Sequence, residues 1–317
     1  MAKHVFLILS LTLFLATGLL AQQTSPPDGA HLRGIDPIVT LRWPGTAKQK
    51  FQVQIYAGRA EVFSQEVTGN VLKVPLRSGP RYRWQVSRKE RGGFMQLVSP
   101  QSFQLSSELE FNFDGKKGES GKDGHSSSGQ GQFRSPTSSI NGQDGKPGQN
   151  GGNGQDVQVT VSPAGDYREL RIQSPLITKT FLLVDSSPIT ISTRGGDGGD
   201  GGQGGHGGVG YFEVVGNNRF VQARSFPPGI GGDGGAGGEG GRGGNVTVNT
   251  SGLKQEVRVD NFGGAGGRGG AGGAGGTAAI IPQYYRGPIP QNYIVNAPPG
   301  RPGADGRPGP QGRIFEK

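Results

Sequence analysis

The sequence has no cysteine and few apolar residues. Hydrophobic residues make up 31% of the 317 positions, against the roughly 45–50% that is usual in globular domains. The missing cysteine excludes disulfide bonds, zinc–thiolate sites and a lipidated cysteine anchor. The shortage of apolar residues excludes one large hydrophobic core, so we do not expect a conventional enzyme. The four histidines offer little for a histidine-rich metal site.

The one long apolar stretch stands at the N-terminus. Lys3 and His4 precede the 16 residues 5–20, which are apolar apart from one glycine and three hydroxyl residues, and Ala21 offers a cleavage site before Gln22. We therefore predict a secretory signal peptide at residues 1–21. A short membrane anchor is the alternative, but a spanning helix needs about 20 residues. We expect a secreted, cell-surface or periplasmic protein with no membrane span after cleavage.

The net charge of the chain is moderately positive. The net charge is +9, and residues 22–110 carry 12 basic and 7 acidic side chains. A charged surface of this size is expected to aid solubility. A weak affinity for acidic cell-surface polymers is the alternative, and nucleic acid is not an expected partner of an exported chain.

Residues 22–107 have the pattern of short β-strands. Apolar and polar residues alternate in residues 39–43, 51–55 and 82–86, and turn residues such as Ser78-Gly79-Pro80 separate the runs. Six or seven strands in about 85 residues fit a β-sandwich.

Two motifs in this region resemble a fibronectin type III domain, one of the immunoglobulin-like sandwiches. They are Leu41-x-Trp43 and, later, Gly79-x-x-Tyr82-x-Trp84. The resemblance implies that Trp43 and Trp84 are core residues and that the hydroxyl of Tyr82 bonds back to the backbone. A carbohydrate-stacking platform built on the tryptophans is the alternative.

Glycine organises the rest of the chain. Of the 62 glycines, 53 lie in residues 111–317, and most recur at every third position. Single glycines keep the period in residues 115–124, 142–154 and 300–312. Gly-Gly-X triplets fill residues 195–210, 231–244 and 263–276, with 11 of 16, 10 of 14 and 10 of 14 glycines. A flexible linker, the plainest alternative, has no reason to keep such a register.

Two ordered structures fit this period. A collagen triple helix needs much proline as well as glycine, whereas the dense runs have no proline and are only four or five triplets long. A left-handed three-residue helix has no internal hydrogen bonds, so polyglycine II helices of one chain can bond to each other where glycine lets them touch. We predict such a bundle, with the X side chains pointing outward. A collagen-like homotrimer is the alternative.

The segments between the runs read as strands. Candidates lie at residues 156–161, 168–172, 180–184 and 189–191, and Gly216-Asn217-Asn218 indicates a hairpin. Residues 151–159 match residues 240–248, and a second strand follows each copy, at 169–172 and 256–259.

Together these patterns predict a mainly β chain with almost no α-helix after the signal peptide. We place a β-sandwich at residues 22–107, a collagen-like glycine-rich segment at residues 108–155, and a glycine-helix bundle interleaved with β-hairpins at residues 156–317.

The Gly-Gly-X runs resemble the polyglycine-helix bundles of bacteriophage tail-fibre adhesins and the glycine-rich antifreeze proteins of springtails. Adhesins of this kind carry receptor-binding residues on loops between the helices. Antifreeze bundles present small, mostly uncharged X residues, whereas X here includes Asp197, Asp200 and His206. The resemblance therefore favours adhesion over ice binding. The signal peptide, which phage adhesins lack, indicates a cellular surface protein.

No motif in the sequence indicates catalysis. Residues 151–159 approach a calcium-binding nonapeptide with Asp156 at the acidic position, but Gln158 stands where a large apolar residue belongs, and tandem copies are missing. Neither a phosphate-binding loop nor a nucleophile–histidine–carboxylate motif is present. We predict no enzyme, no metal and no cofactor, and we interpret His206 as a solvated X residue.

The most suggestive non-repetitive piece is residues 278–299. It carries Tyr284, Tyr285, Arg286 and Tyr293 between glycine runs, with five prolines to stiffen it. Exposed clusters of aromatic residues and arginine are what binding hot spots use, so we predict that these four residues bind a partner. Packing of the aromatic rings on the end of the bundle is the alternative.

We therefore expect an exported structural or adhesive surface protein, with a monomer favoured. Its rigid glycine bundle would present loops to a surface polymer or protein whose identity the sequence does not give. The first alternative is a collagen-like oligomeric component of an extracellular matrix. More distant alternatives are an antifreeze-type protein and a cell-wall-active enzyme within residues 156–224.

Overall fold

The computed structural model describes residues 24–35, 37–127, 141–217, 220–279 and 294–317. These residues are mainly β-strand and contain no α-helix, which confirms the prediction of a mainly β chain. The strands in these ranges are β1 (Ala30–Arg33), β2 (Ile38–Arg42), β3 (Lys50–Ala57), β4 (Ala60–Thr68), β5 (Val71–Pro75), β6 (Arg81–Glu90), β7 (Gly93–Ser106), β8 (Glu110–Asn112), β9 (Val157–Ala164), β10 (Tyr167–Gln173), β11 (Thr178–Leu183), β12 (Ile189–Ser192), β13 (Tyr211–Asn217), β14 (Phe220–Phe226), β15 (Val246–Asn249), β16 (Val257–Asp260), β17 (Thr277–Ala279), β18 (Ile294–Asn296) and β19 (Ile314–Glu316).

Most strands join one large sheet. Its order is β19-β15-β9-β10-β11-β1-β7-β6-β3-β4. A three-stranded sheet has the order β16-β12-β8, and β2–β5, β13–β14 and β17–β18 form separate pairs. Strand β1 pairs in parallel with both β7 and β11, so it joins the N-terminal half of the large sheet to the later half.

A first hydrophobic core is formed by the β2–β5 pair and the N-terminal half of the large sheet. Trp43 and Trp84 are fully buried in it, and Trp43 meets Phe51 edge to face with ring centroids 5.7 Å apart. The hydroxyl of Tyr82 donates to the carbonyl of Arg77 at 2.8 Å. Both tryptophans are therefore core residues, as predicted, and neither can stack on a ligand.

A second core forms the base of the glycine-rich region. Strands β9, β10, β11 and β15 of the large sheet enclose it together with β8, β12 and β16, and Val159, Leu170 and Ile191 are fully buried there. Strands β8, β12 and β16 are parallel to one another, and so are β9, β15 and β19. Each of these six strands leads into or out of a glycine run.

We name the glycine runs segments 1 to 6, at residues 115–124, 142–154, 195–210, 231–244, 263–276 and 300–312. Their backbones bond to neighbouring segments and form two layers. In the first layer, N–H groups of segment 1 donate to segment 3 and those of segment 3 to segment 5, as Gly118 does to Asp197 and Gly198 to Ala265, both at 2.8 Å. Segments 2, 4 and 6 are linked in the same way in the second layer.

Consecutive segments run antiparallel and bond across the two layers. Gly199 donates to the carbonyl of Gln149, and Gly238 donates to the carbonyl of Gly199, both at 2.8 Å. Equivalent bonds connect segment 1 with 2, 4 with 5, and 5 with 6. The array is therefore held together by hydrogen bonds within one chain.

The segments require glycine because a side chain would clash with the neighbouring backbone, and not because of the backbone conformation. At Gly199 a Cβ would lie 2.0 Å from the carbonyl oxygen of Glu119, and across the six segments the corresponding distance is 1.8–2.1 Å. The exception is Gly152, where the nearest atom is Lys116 N at 3.0 Å. None of these glycines has a φ in the left-handed range. The backbones thus touch, and a side chain would push the segments apart.

The strand register continues unchanged into the glycine segments. Glu110 of β8 pairs with Thr190 of β12, and the Asp123 carboxylate accepts the N–H of Gln203, both pairs being 80 residues apart. Paired residues of β12 and β16 are 68 residues apart in sequence, and so are bonded residues of segments 3 and 5. For β9 with β15, and for segments 2 and 4, the separation is 89 residues in both cases. Apolar side chains fix strand register, so the strands set the register of glycines that have no side chains to specify it.

The internal repeat is larger than the sequence indicated. It consists of a strand, a glycine segment, a connection, a second glycine segment and a second strand, and copies begin at β8, β12 and β16. The second strands expected at residues 169–172 and 256–259 are present as β10 and β16, but they do not hold equivalent places in the repeat. Residues 169–172 lie in β10, which pairs with β9, whereas β16 pairs with β12 and is equivalent to it.

Candidate functional site

The predicted binding residues Tyr284, Tyr285, Arg286 and Tyr293 lie outside the described residues. Strands β17 and β18 flank them and pair antiparallel, with Ala279 opposite Ile294. The four residues therefore belong to the connection between segments 5 and 6.

In the described residues, the chain leaves segments 1, 3 and 5 and enters segments 2, 4 and 6 at the same end of the array. Segments 1, 3 and 5 run away from β8, β12 and β16, and segments 2, 4 and 6 return to β9, β15 and β19. The connections are residues 125–141, the β13–β14 hairpin with its flanks, and residues 277–299. A β-bridge between Gly210 and Ala278 joins the second connection to the third. We call this end of the array the distal end and the strand end the base.

A cavity of about 440 Å³ lies on the second layer at the distal end. One row of X residues, Asp144, Asp233 and Arg301, lines it together with the exposed Ile230. Asp144 Oδ1 accepts the N–H of Asp233 at 2.8 Å, and Asp233 Oδ1 accepts the N–H of Arg301 at 2.7 Å. Both carboxylates are thus bonded to backbone. The Arg301 guanidinium has no ion-pair partner among the described residues.

Eleven carboxylate and amide side chains make one common contact between segments of the same layer. Each accepts the X-position N–H of the next segment in its layer, at distances of 2.7–3.1 Å. This N–H has no backbone partner, so the side chain satisfies it. The residues that do this are Asp114, Asp123, Asn141, Asp144, Asn150, Asn153, Asp156, Asp197, Asp200, Asp233 and Asn245. We call them the capping residues.

Sequence reasoning missed this role, because it treated charged X residues as solvated. The signal that could have found it is the recurrence of Asp and Asn at triplet spacing. His206 is an exposed X residue, as predicted, and its Nδ1 also accepts the N–H of Ala274 at 2.9 Å. It therefore bonds to the neighbouring segment instead of only facing solvent.

Asp156, the acidic residue of the calcium-like motif, is one of the capping residues. Its Oδ1 accepts the N–H of Asn245 at 2.8 Å and lies 3.2 Å from the guanidinium of Arg242. The backbone hydrogen bond and, after it, Arg242 hold the pKa of the Asp156 carboxyl below its ordinary value. In the described ranges, no group of three or more His, Cys, Asp or Glu side chains is placed to hold a metal ion. Asp156 stabilises the junction of segments 2 and 4.

The predicted signal peptide at residues 1–21 lies outside the described residues. Within the part of the chain that the structure covers, no helix has the length and apolar character needed to cross a membrane.

No protein-family model matches the chain, and no curated protein matches it in sequence.

Proposed function

We propose that this chain is an exported structural or adhesive surface protein. In this proposal, residues 1–21 direct export, residues 22–107 form a fibronectin type III-like β-sandwich, and the glycine segments are polyglycine II helices in a rigid bundle. The bundle presents its distal connections to a surface polymer or protein, without catalysis, metal or cofactor. The observation that carries the proposal is that segments 1, 3 and 5 end, and segments 2, 4 and 6 begin, at one end of the array.

The distance between the two ends supports a presenting role. At about 3.1 Å per residue, a polyglycine II helix of 16 residues such as segment 3 is about 50 Å long. The distal connections would stand that far from the base. The segment ends that lead into them would be well defined in position, because every inner segment bonds to neighbours in both layers.

Contacts between the N-terminal region and the base support rigidity along the whole molecule. In β1, the guanidinium of Arg33 lies 4.5 Å from the centre of the Phe181 ring and donates to the carbonyl of Glu108 at 2.8 Å. The buried hydroxyl of Tyr167 donates to the carbonyl of Thr40 at 2.6 Å. With the continuous large sheet, these contacts favour one body over two modules on a linker.

The intramolecular bonding favours a monomer over a collagen-like trimer. In collagen, glycine permits close approach of three separate chains, whereas here the segments of one chain approach each other. Sedimentation equilibrium tests this point: a mass near 33 kDa fits the proposal, and three times that mass supports the matrix alternative. Rapid proteolysis throughout residues 111–317 would count against a bundle of either kind.

A substitution at the distal end tests adhesion. We expect binding of the full-length chain to immobilised cell-surface glycans and proteins to be lost when Tyr284, Tyr285, Arg286 and Tyr293 are all changed to alanine. The matched control is Phe262→Ala, because Phe262 is an exposed aromatic residue at the base, 58% accessible. Equal binding by the wild type and the fourfold variant would contradict presentation by this connection.

A further inference from the structure

A second cavity lies on the same layer at the base, opposite the distal end. It has a volume of about 390 Å³, within the range of small-molecule sites. We call it the basal groove. Its lining residues are Arg242, Asn245, Pro310, Gln311, Arg313 and Phe315.

Two arginine residues line the basal groove. Arg242 comes from segment 4, and Arg313 follows segment 6 directly before β19. Asn245 Oδ1 accepts the N–H of Arg313 at 2.9 Å, which fixes the backbone of Arg313 beside segment 4. The exposed Arg313 side chain forms no ion pair with a residue that the structure describes.

Few carboxylates compete for these guanidinium groups. Asp156 forms an ion pair with Arg242 at 3.2 Å and balances its charge, whereas Arg313 has no such partner among the described residues. Glu316 lines a different cavity, together with the apolar Val257 and Val259. A positive charge thus stays available in the basal groove.

The groove also contains an exposed aromatic ring. Phe315 alternates with Ile314 along β19, and its side chain is 45% accessible. An exposed ring beside arginine offers an apolar surface next to a charge. The C–H face of a pyranose packs on such a ring, and a guanidinium binds a carboxylate through two parallel hydrogen bonds.

We propose that the basal groove binds a carboxylate-bearing sugar of the uronic acid class. The carboxylate pairs with Arg313, and the pyranose ring packs on Phe315. This proposal does not depend on the distal connections, so it can fail or succeed independently of the proposed adhesive role.

Titration of the full-length chain with galacturonate oligomers tests the proposal, with chemical-shift changes or calorimetry as the readout. We expect saturable binding that weakens as the salt concentration rises, and no binding of a neutral glucose oligomer. Arg313→Gln should weaken binding about fivefold or more, because a charge-assisted bidentate pair is lost. Phe315→Ala should weaken it by a smaller factor. A sulfated oligomer of equal length separates carboxylate recognition from general anion binding.

The matched control is Arg268→Gln, which removes an exposed arginine from the X position of segment 5, outside the groove. We expect it to bind like the wild type. Arg313→Gln should also keep the wild-type melting temperature, and Phe315→Ala provides a second variant if it does not. The proposal is overturned if the wild type does not bind the uronate, if Arg313→Gln and Phe315→Ala bind it as well as the wild type does, or if the neutral or sulfated oligomer binds equally well.

Discussion

The inner segments 3, 4 and 5 and the outer segments 1, 2 and 6 share one bonding scheme but differ in their triplets. The inner segments repeat Gly-Gly-X and the outer ones Gly-X-X, with Gly151-Gly152 as the one doublet in segment 2. The reason is what each triplet position faces. A Cβ at Gly201, a first position, would meet the carbonyl of Gly235 in the following segment, and one at Gly202, a second position, would meet Lys122 two segments earlier.

Outer segments lack one of these two neighbours. Segments 1 and 2 have no segment two places earlier, and their second positions carry side chains such as Lys122 and Gln149. Segment 6 has no following segment, and its first positions carry residues such as Pro302 and Asp305. A triplet thus has two glycines where its segment has both neighbours, and one glycine where one of the neighbours is missing. The collagen-like composition of segments 1, 2 and 6 is explained by their place at the edge.

The positions of proline also depend on which neighbouring segments are present. First-position N–H groups donate to the segment two places later, as Gly198 does to Ala265. Pro302 and Pro308 occupy first positions of segment 6, where no later segment could accept such a bond. In segments 3 and 4, both first- and second-position N–H groups donate to neighbouring segments, and in segment 5 the second-position groups do. Proline at any of these positions would remove the bond.

The largest expected effect tests the glycine rule at two adjacent residues. Gly151 is a first position, where a Cβ would lie 1.8 Å from the carbonyl oxygen of Gly196. Gly152 is a second position of segment 2 and faces no segment two places earlier. We expect Gly151→Ala to lower the free energy of unfolding by about 3 kcal/mol or more, as severe overpacking does. Gly152→Ala should change it by less than about 1 kcal/mol.

Denaturant unfolding of both variants measures this difference. Two equally damaging substitutions would mean that glycine is required for a reason other than the neighbouring backbone. Two equally harmless ones would mean that the segments are not in contact.

The next effect concerns hydrogen-bond donors. Gln149 is exposed, and its N–H donates to the carbonyl of Glu119 at 2.9 Å. Ala304 of segment 6 is also exposed, and its N–H has no partner among the described residues. We expect Gln149→Pro to destabilise the fold by about 1–2 kcal/mol through loss of this bond. Ala304→Pro should be neutral, because the extended backbone already suits proline. Thermal unfolding would contradict the rule if Ala304→Pro proved the more damaging.

The strands and the glycine runs could be predicted from the sequence, because their patterns depend only on residues close together in the chain. The alternation in Phe51–Ile55 and the triplet period identify strands and glycine runs without knowledge of their partners. Strand β1 was missed because Ala30–Arg33 is too short to show a period, although Leu32 is buried and β1 joins both halves of the large sheet.

The layer order could not be predicted, because glycine has no side chain that distinguishes one neighbour from another. It depends on which strands pair at the base, and pairs such as β8–β12 join residues 80 apart. The capping residues were missed for a related reason. A charged X residue in an isolated helix faces water, and it gains a backbone partner only when the neighbouring segment is in register. The candidate binding residues at 284–286 and 293 stay a prediction from composition.

A smaller effect tests the capping residues. Asn150 Oδ1 accepts the N–H of Glu239 at 2.8 Å. Asn150→Ala should lower the free energy of unfolding by about 1 kcal/mol, since it removes the acceptor of one hydrogen bond. Asn150→Asp should be close to the wild type, because aspartate caps the same position elsewhere, as Asp144 does. Equal stability of all three proteins would show that water satisfies this N–H as well as the side chain does.

The smallest effect concerns pH and separates the hydrogen bond of a capping residue from its charge. The pKa of Asp156 is lowered in the folded chain, first by the N–H of Asn245 and then by Arg242. A lowered pKa stabilises the folded state above the unfolded pKa of about 3.9, and this contribution is lost as pH falls through the folded value. Asp156→Asn keeps an acceptor for Asn245 but loses the charge beside Arg242. We therefore expect the wild type to be slightly more stable than Asp156→Asn at pH 7, with the free energies of unfolding of the two proteins converging below about pH 4.

Denaturant unfolding from pH 7 to pH 2.5 measures this convergence. In an Arg242→Gln background, the difference in stability at pH 7 should shrink. A gap that persists unchanged to pH 2.5 would mean that the difference in stability does not come from the charge of the Asp156 carboxylate.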